Sequence, residues 1–318
     1  MKKALLYSIF ALGIASTTLT SCEDIFGGFL DKQPSNELTG EQVFSDWNLT
    51  VQFHLDTYNF LRHGAGRIST TWLDAATDLA ETSYGNGVRT SFNIGNFYGG
   101  SGASELVDTW EHYYRGIRKC NMLLTRIEEV PQNPADSEDK YNRDKKNYIA
   151  EARFLRAYFY WELFLRYGPI PIVTEVLDPN GDLMSKYTTR PTTKEYVVDF
   201  ILEELKSCEG NLLDYETAWK SSSAGRIGQP MACALRSRIM LFMASPRYSS
   251  ESGITWQQAA DVAKEFIDTY GTNFALFNAK DATGATLGIE NYTNALLRTA
   301  YQGSNKEVIF YRNDDKQN

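Results

Sequence analysis

Glu151-Ala-Arg-Phe-Leu-Arg-Ala-Tyr-Phe-Tyr-Trp-Glu-Leu163 runs on through Phe164-Leu-Arg-Tyr167 into Gly168-Pro-Ile-Pro-Ile-Val-Thr174. The first part holds no glycine or proline and is apolar on nearly every side. Such a helix must be covered from several directions, so the stretch predicts a central helix over about Glu138–Tyr167. Gly168, then Pro169 and Pro171, ends it, because glycine accepts the turn that closes a helix and proline cannot continue the ladder. The dense aromatics between Phe154 and Tyr167 therefore read as core and not as a ligand platform. Arg153, Arg156 and the i, i+4 pair Glu162/Arg166 read as structural ion pairs.

Further helices flank this one on both sides. Thr39 with Glu41 and Gln42 opens a helix whose apolar residues keep a 3.6 period to about His63. Ser104 and Glu105 open another, through Ile127, which Pro131 and Pro134 close. Thr193–Leu213, Pro230–Ala244 and Trp256–Tyr270 give three more, whereas strand signals are confined to Ile170–Val173 and Val308–Tyr311. Connections are mostly short, and Ala150, Ala152, Ala157, Ala232, Ala234 and Ala244 allow close helix approach. The pattern predicts a mainly α chain, a tetratricopeptide-like helical repeat (α/α superhelix) with long loops, each pair burying its face on the next. The strict repeat signature is absent, so an irregular helical bundle also fits the periodicity.

Composition narrows the function classes. Of 318 residues 42% are hydrophobic, ample for a core, and 40 acids against 32 bases give a net charge of −8. That surface repels phosphate backbones, so no nucleic-acid partner is expected. Mean hydropathy is −0.39, and the long uncharged apolar run lies at the extreme N-terminus, which excludes a polytopic membrane protein. There Lys2 and Lys3 precede the apolar Ala4–Ala15, too short to span a bilayer and formed like a secretory signal. Cys120, Cys208 and Cys233 show no metal-ligand spacing, and His54, His63 and His112 are scattered, so no metal and no cofactor is expected. The thiols read as small buried hydrophobes, with a Cys208–Cys233 disulfide as the alternative in an exported chain. Asp178-Pro-Asn180-Gly-Asp182 falls short of a calcium loop, since Leu183 and Thr189 stand where glycine and glutamate are needed.

Between Gly64 and Gly102 glycines and aromatics alternate around at most a short helix at Trp72–Ala80. Sugar rings have apolar C–H faces and hydroxyl rims, so a binder needs flat aromatics beside polar groups on projecting loops. Trp72, Tyr84, Phe97 and Tyr98 are the candidate platforms, with Arg89 and Asn96 as candidate hydrogen-bonding partners. Phe92, Asn93, Asp74 and Asp78 are interleaved with them. The competing reading is that these aromatics pin the loop to the helices. No serine-hydrolase, phosphate-loop or zinc-protease motif occurs, and no catalytic residue is assigned.

Two resemblances sharpen this reading. Leu19-Thr-Ser-Cys22 resembles the lipobox of bacterial lipoproteins, which implies lipidation at Cys22, and Glu23-Asp24 after it resembles a surface-export signal of Bacteroidota lipoproteins. The stretch quoted first resembles the hallmark of the SusD/RagB family of outer-membrane nutrient-binding lipoproteins. Phe29-Leu-Asp31 with Pro34, Ile117-Arg-Lys-Cys-Asn121, the helix from Pro230, and Glu307-Val-Ile-Phe310 match that family in order. The resemblance implies a non-enzymatic, lipid-anchored protein of the outer membrane at the cell surface. It would bind an oligosaccharide or polysaccharide and deliver it to a SusC-like TonB-dependent transporter. Residues 1–21 would be the signal peptide, 22–40 a surface tether, and 41–318 the helical domain. Members usually run considerably longer, so the match is to the N-terminal portion of the family, and the C-terminal part is expected to be missing. Other readings are a helical scaffold lipoprotein for peptide or protein partners and, third, a glycoside hydrolase.

Overall fold

The structure is a computed structural model that describes residues 39–61, 73–81, 92–96, 98, 104–178, 180–220, 223, 225–276, 280, 283–285, 288 and 306–312. The chain divides into two units, Met1–Val43 and Phe44–Asn318. In the first, Thr39 and Gln42 cap each other reciprocally at the start of α1 (Gly40–Phe44), each side chain meeting the other's backbone N–H.

The helix expected to run from Thr39 to His63 is broken. Asp46 adopts extended backbone, accepts from Leu49 N at 2.9 Å, and so starts α2 (Trp47–Asp56) as a new N-cap. A 3₁₀ turn, Thr57–Phe60, extends it. Among the described residues of the short helix expected at Trp72–Ala80, a 3₁₀ turn forms at Leu73–Ala76. Then come α3 (Ser104–Arg126), α4 (Glu138–Tyr167) and the short α5 (Leu183–Lys186). The single α-helix expected over Thr193–Leu213 is instead a π-helix, Lys194–Leu202, passing into α6 (Glu203–Glu209). The wider π register sets Lys194 against the residue five positions on, and its Nζ meets Asp199 at 2.6 Å. The chain continues through α7 (Tyr215–Ala218), α8 (Gln229–Met243), α9 (Ser249–Ser252) and α10 (Trp256–Tyr270). A full capping box between Thr255 and Gln258 starts α10, and Pro230 sits in the first turn of α8.

Contacts fix how the helices stack. Between α3 and α4, Tyr113 reaches Glu162, Gly116 faces Phe159 and Asn121 meets Arg156, and in the turn just after α3 Glu128 pairs with Lys145. One index rises as the other falls, so the two helices are antiparallel. The same holds between α4 and the π/α6 helix, where Tyr160 packs on Tyr196, Arg156 pairs with Glu204, and Asn147 donates to Asn211 O. Next, α6 packs on α8 and α8 on α10. Each helix rests on its neighbours in sequence, as a mainly α, tetratricopeptide-like stack requires.

The central helix is central. Phe154, Leu155, Phe159, Tyr160 and Leu163 are completely buried, and Ala150, Ala152 and Ala157 let neighbours close in. At Gly116 an added Cβ would stand 2.7 Å from the Phe159 ring and 3.1 Å from Phe60 Cβ. The absent side chain is what allows α3 to approach the aromatic face of α4. Arg153 and Arg156 pair with Glu204, and Arg166 with Glu162 at 3.0 Å, as structural bridges.

Neither expected strand forms. Among the described residues Ile170–Val173 pairs with no strand; side chains from the helices bond its backbone instead. Tyr160 Oη donates to Val173 O at 3.0 Å and accepts from Val173 N at 2.7 Å. Tyr114 Oη donates to Pro171 O at 2.9 Å, Asn121 Nδ2 to Val173 O and Glu175 O, and Arg118 to Leu177 O. Among the described residues Val308–Tyr311 forms no strand, and Tyr311 packs against Trp219. Cys120, Cys208 and Cys233 are free and buried, so the Cys208–Cys233 disulfide is not formed.

Candidate functional site

Asn93 Nδ2 donates to Ala75 O at 3.3 Å, tying the Phe92–Asn96 turn to the 3₁₀ turn at Leu73–Ala76. Ala75 is buried beneath it, while the aromatic and aliphatic side chains face out: Tyr98 is 60% exposed and Ile94 68%. Asn96 is exposed as well. The described part of the loop thus presents rings and amides to solvent, the combination a sugar face needs. Of the predicted ligand residues, Asn96 and Tyr98 stand on this surface. Trp72, Tyr84, Arg89 and Phe97 lie outside the described residues, as do Cys22 and the leader and tether over residues 1–38.

Among the described residues three concavities stand out. One, of about 920 Å³, runs between the first half of α4 and residues 210–229. Its base is Asn147 and Arg226, both committed to internal bonds with Glu151 and Asn211, and its walls carry no aromatic ring. A second, about 20 Å³ beside Tyr215, Trp219 and Tyr311, holds a water at most. The third, about 520 Å³, lies between Pro171–Glu175 and Lys186–Glu195, with Tyr187 in its wall. Its Tyr187-Thr-Thr-Arg-Pro191 stretch carries only a faint sequence signal, a lone tyrosine in a polar connection.

One set of metal-ligand types converges. Atoms of Glu209, Cys233 and Glu265 lie within 4.8 Å of one another. Arg236 already stands among them, 2.7 Å from Glu265, 3.5 Å from Glu209 and 3.8 Å from Cys233 Sγ. A guanidinium thus supplies the positive charge a metal would bring, and burial pushes the Cys233 thiol up, away from the thiolate a metal prefers.

No helix among the described residues is long and apolar enough to cross a membrane. The fold is a stack of helices around a buried aromatic centre, with exposed rings and amides on a loop and in a surface cleft. Residues 28–241 match the SusD-like_3 family model, described as "Starch-binding associating with outer membrane", and the chain belongs to the SusD-like family. It is 25% identical to SusD-like protein P38 of Formosa agariphila over 216 residues, which is 67% of this chain and 39% of that protein. The chain therefore spans well under half the length of that relative. The crystal structure of a SusD-like protein from Bacteroides fragilis shares the fold, with TM-score 0.58 and 23% identity over 89% of this chain and 48% of that one. A structure described as a laminarin-binding SusD-like protein has TM-score 0.54 and 23% identity, covering 71% of this chain and 44% of that one.

Proposed function

We propose that this chain is a cell-surface glycan-binding lipoprotein, anchored through Cys22, that delivers oligosaccharides to a SusC-like TonB-dependent transporter. Membership of a family described as starch-binding at the outer membrane carries the reading. The exposed rings at Tyr98 and Phe92 support it physically, and one neighbour of the same fold is described as laminarin-binding. A tethered binder captures a polymer but cannot move it across a membrane, which is why a transporter belongs to the proposal. In this reading Trp72, Tyr84, Phe97 and Tyr98 stack on sugar rings, and Arg89 and Asn96 bond their hydroxyls.

Removing about 80 Å² of sugar face from water is worth ~2 kcal/mol per platform. Tyr98→Ala should therefore weaken glycan binding roughly thirtyfold and leave the melting temperature nearly unchanged, since the ring is mostly in solvent. Calorimetry against a panel of soluble oligosaccharides, with product analysis on the same samples, tests this: binding without turnover is expected. A lowered melting temperature with intact affinity would make Tyr98 a packing residue. For the anchor, Cys22→Ala should release the protein from washed outer membranes, and retention at the wild-type level would refute lipidation there.

A further inference from the structure

We infer that the cleft between Pro171–Glu175 and Lys186–Glu195 is a second carbohydrate subsite, shaped for a neutral sugar ring. The inference rests on the glycan-binding reading above and adds a place of contact outside the glycine-rich loop.

The cleft's volume of about 520 Å³ lies in the range of small-ligand sites. Its lining is amphipathic in the way a sugar is. Pro171, Ile172 and Pro191 supply apolar surface, the half-buried Tyr187 ring supplies a flat one, and Thr174 and Thr189 supply hydroxyls. Four charged residues complete it, and their signs balance: Glu175 and Glu195 against Lys186 and Arg190. All four are also already engaged. Lys186 Nζ and Tyr187 Oη both donate to Glu175. Arg190 Nη1 donates to Tyr167 O at 3.1 Å and Pro169 O at 3.2 Å. Glu195 accepts from Thr192 N at 2.7 Å and from its hydroxyl at 2.9 Å. A cleft whose charges sum to zero, with each charged group already holding a hydrogen-bond partner, offers no net attraction to an ion. It offers oriented single hydrogen bonds beside apolar surface, which suits hydroxyl groups and C–H faces.

One wall is held in place before any ligand arrives. Pro171, Val173 and Glu175 are bonded through their backbone to Tyr114, Tyr160 and Asn121 of the helical core. A site built on such a wall loses little conformational freedom on binding. The cleft also stands within reach of the loop. Trp110, 40% exposed near the start of α3, packs edge-on against Tyr167 at 5.1 Å, and Tyr167 O is the acceptor for Arg190. Chain length alone holds Tyr98 within roughly 30 Å of Trp110, a span an oligosaccharide of several units covers.

The test is calorimetry with malto- and laminari-oligosaccharides, from disaccharide to heptasaccharide, on wild type, Tyr98→Ala, Tyr187→Ala and Tyr187→Phe. Hydrogen exchange of residues 183–191 is followed with and without heptasaccharide. Tyr187→Ala should weaken heptasaccharide binding about tenfold, Tyr187→Phe should bind like wild type, and exchange over 183–191 should slow on binding. If Tyr98→Ala weakens binding while Tyr187→Ala and the exchange of 183–191 are unaffected, the subsite is overturned and the glycan-binding reading stands. If Tyr187→Phe loses as much as Tyr187→Ala, the hydroxyl's bond to Glu175 is what matters and the stacking subsite is overturned. Wild type that binds no oligosaccharide in the panel overturns both.

Discussion

Glu151→Gln should destabilise the fold by about 3–5 kcal/mol, because it strips the charge from a buried ion pair and leaves the partner uncompensated. Glu151 is completely buried on α4. Its Oε1 accepts from Arg226 Nη2 at 2.6 Å and Nε at 3.0 Å, and its Oε2 meets His54 Nε2 at 2.8 Å. Arg226 also donates to Asn147, and Tyr58 packs edge-on against His54 while its hydroxyl accepts from Ile227 N. One carboxylate therefore joins α2, α4 and the segment before α8. Burial alone would push its pKa up, but Arg226, His54 and Tyr58 together outweigh that and hold it below the usual carboxylate range. A carboxyl lowered on folding adds stability above its unfolded pKa, about 4.3, and loses it as pH falls through the folded value. Wild-type stability in a denaturant titration should hold near neutral pH and decline below about pH 4. The Gln variant should start lower and decline less over that window. Equal stability of the two proteins at neutral pH would show that the network contributes nothing net.

Tyr160→Ala should cost about 3–5 kcal/mol, the range for truncating a fully buried aromatic. The ring meets Tyr196 edge-on at 5.8 Å and Phe200 at 5.2 Å. Its hydroxyl both donates to and accepts from Val173, and burial pushes its pKa far up, so it stays protonated and able to donate. Tyr160→Phe separates the two contributions. It keeps the ring but leaves Val173 N without its partner, while Val173 O still receives Asn121. That should cost about 1–3 kcal/mol and speed hydrogen exchange at residues 170–175 specifically. A Phe variant as stable as wild type, with unchanged exchange there, would mean the hydroxyl does not hold the segment and would remove the rigid wall of the proposed subsite.

Helix positions over most of the chain were legible in the residues. The bounds expected for Glu138–Tyr167 and Trp256–Tyr270 match the structure, where Ser137 and Thr255 cap the starts and Gly168 with Pro169 closes the first. All-round hydrophobicity was enough to place α4 at the centre, since no other location can cover it. Local marks failed where a second local signal competed with periodicity. Asp46 restarted a helix that the apolar pattern ran straight through, because a cap bond outweighs one more turn. The π register of Lys194–Leu202 left no mark, since its apolar positions suit either helix.

What the linear pattern could not supply was partnership between distant residues. Ile170–Val173 has the composition of a strand, but whether the partner is another strand or a tyrosine hydroxyl depends on what the fold brings near. Here Tyr114, Asn121 and Tyr160 arrive from two antiparallel helices. Glu151 likewise reads as one more acid in a helix until His54 and Arg226, 97 and 75 residues away, converge on it. The cleft beside Tyr187 exists because α4 ends where that pinned segment begins. The residues alone determined where most helices lie, which one is central, and the family resemblance, because caps, periodicity and motifs act over a few neighbours. The buried charge network, the anchored wall and the balanced cleft were decided by packing, because each is made by groups that only the folded chain brings within bonding distance.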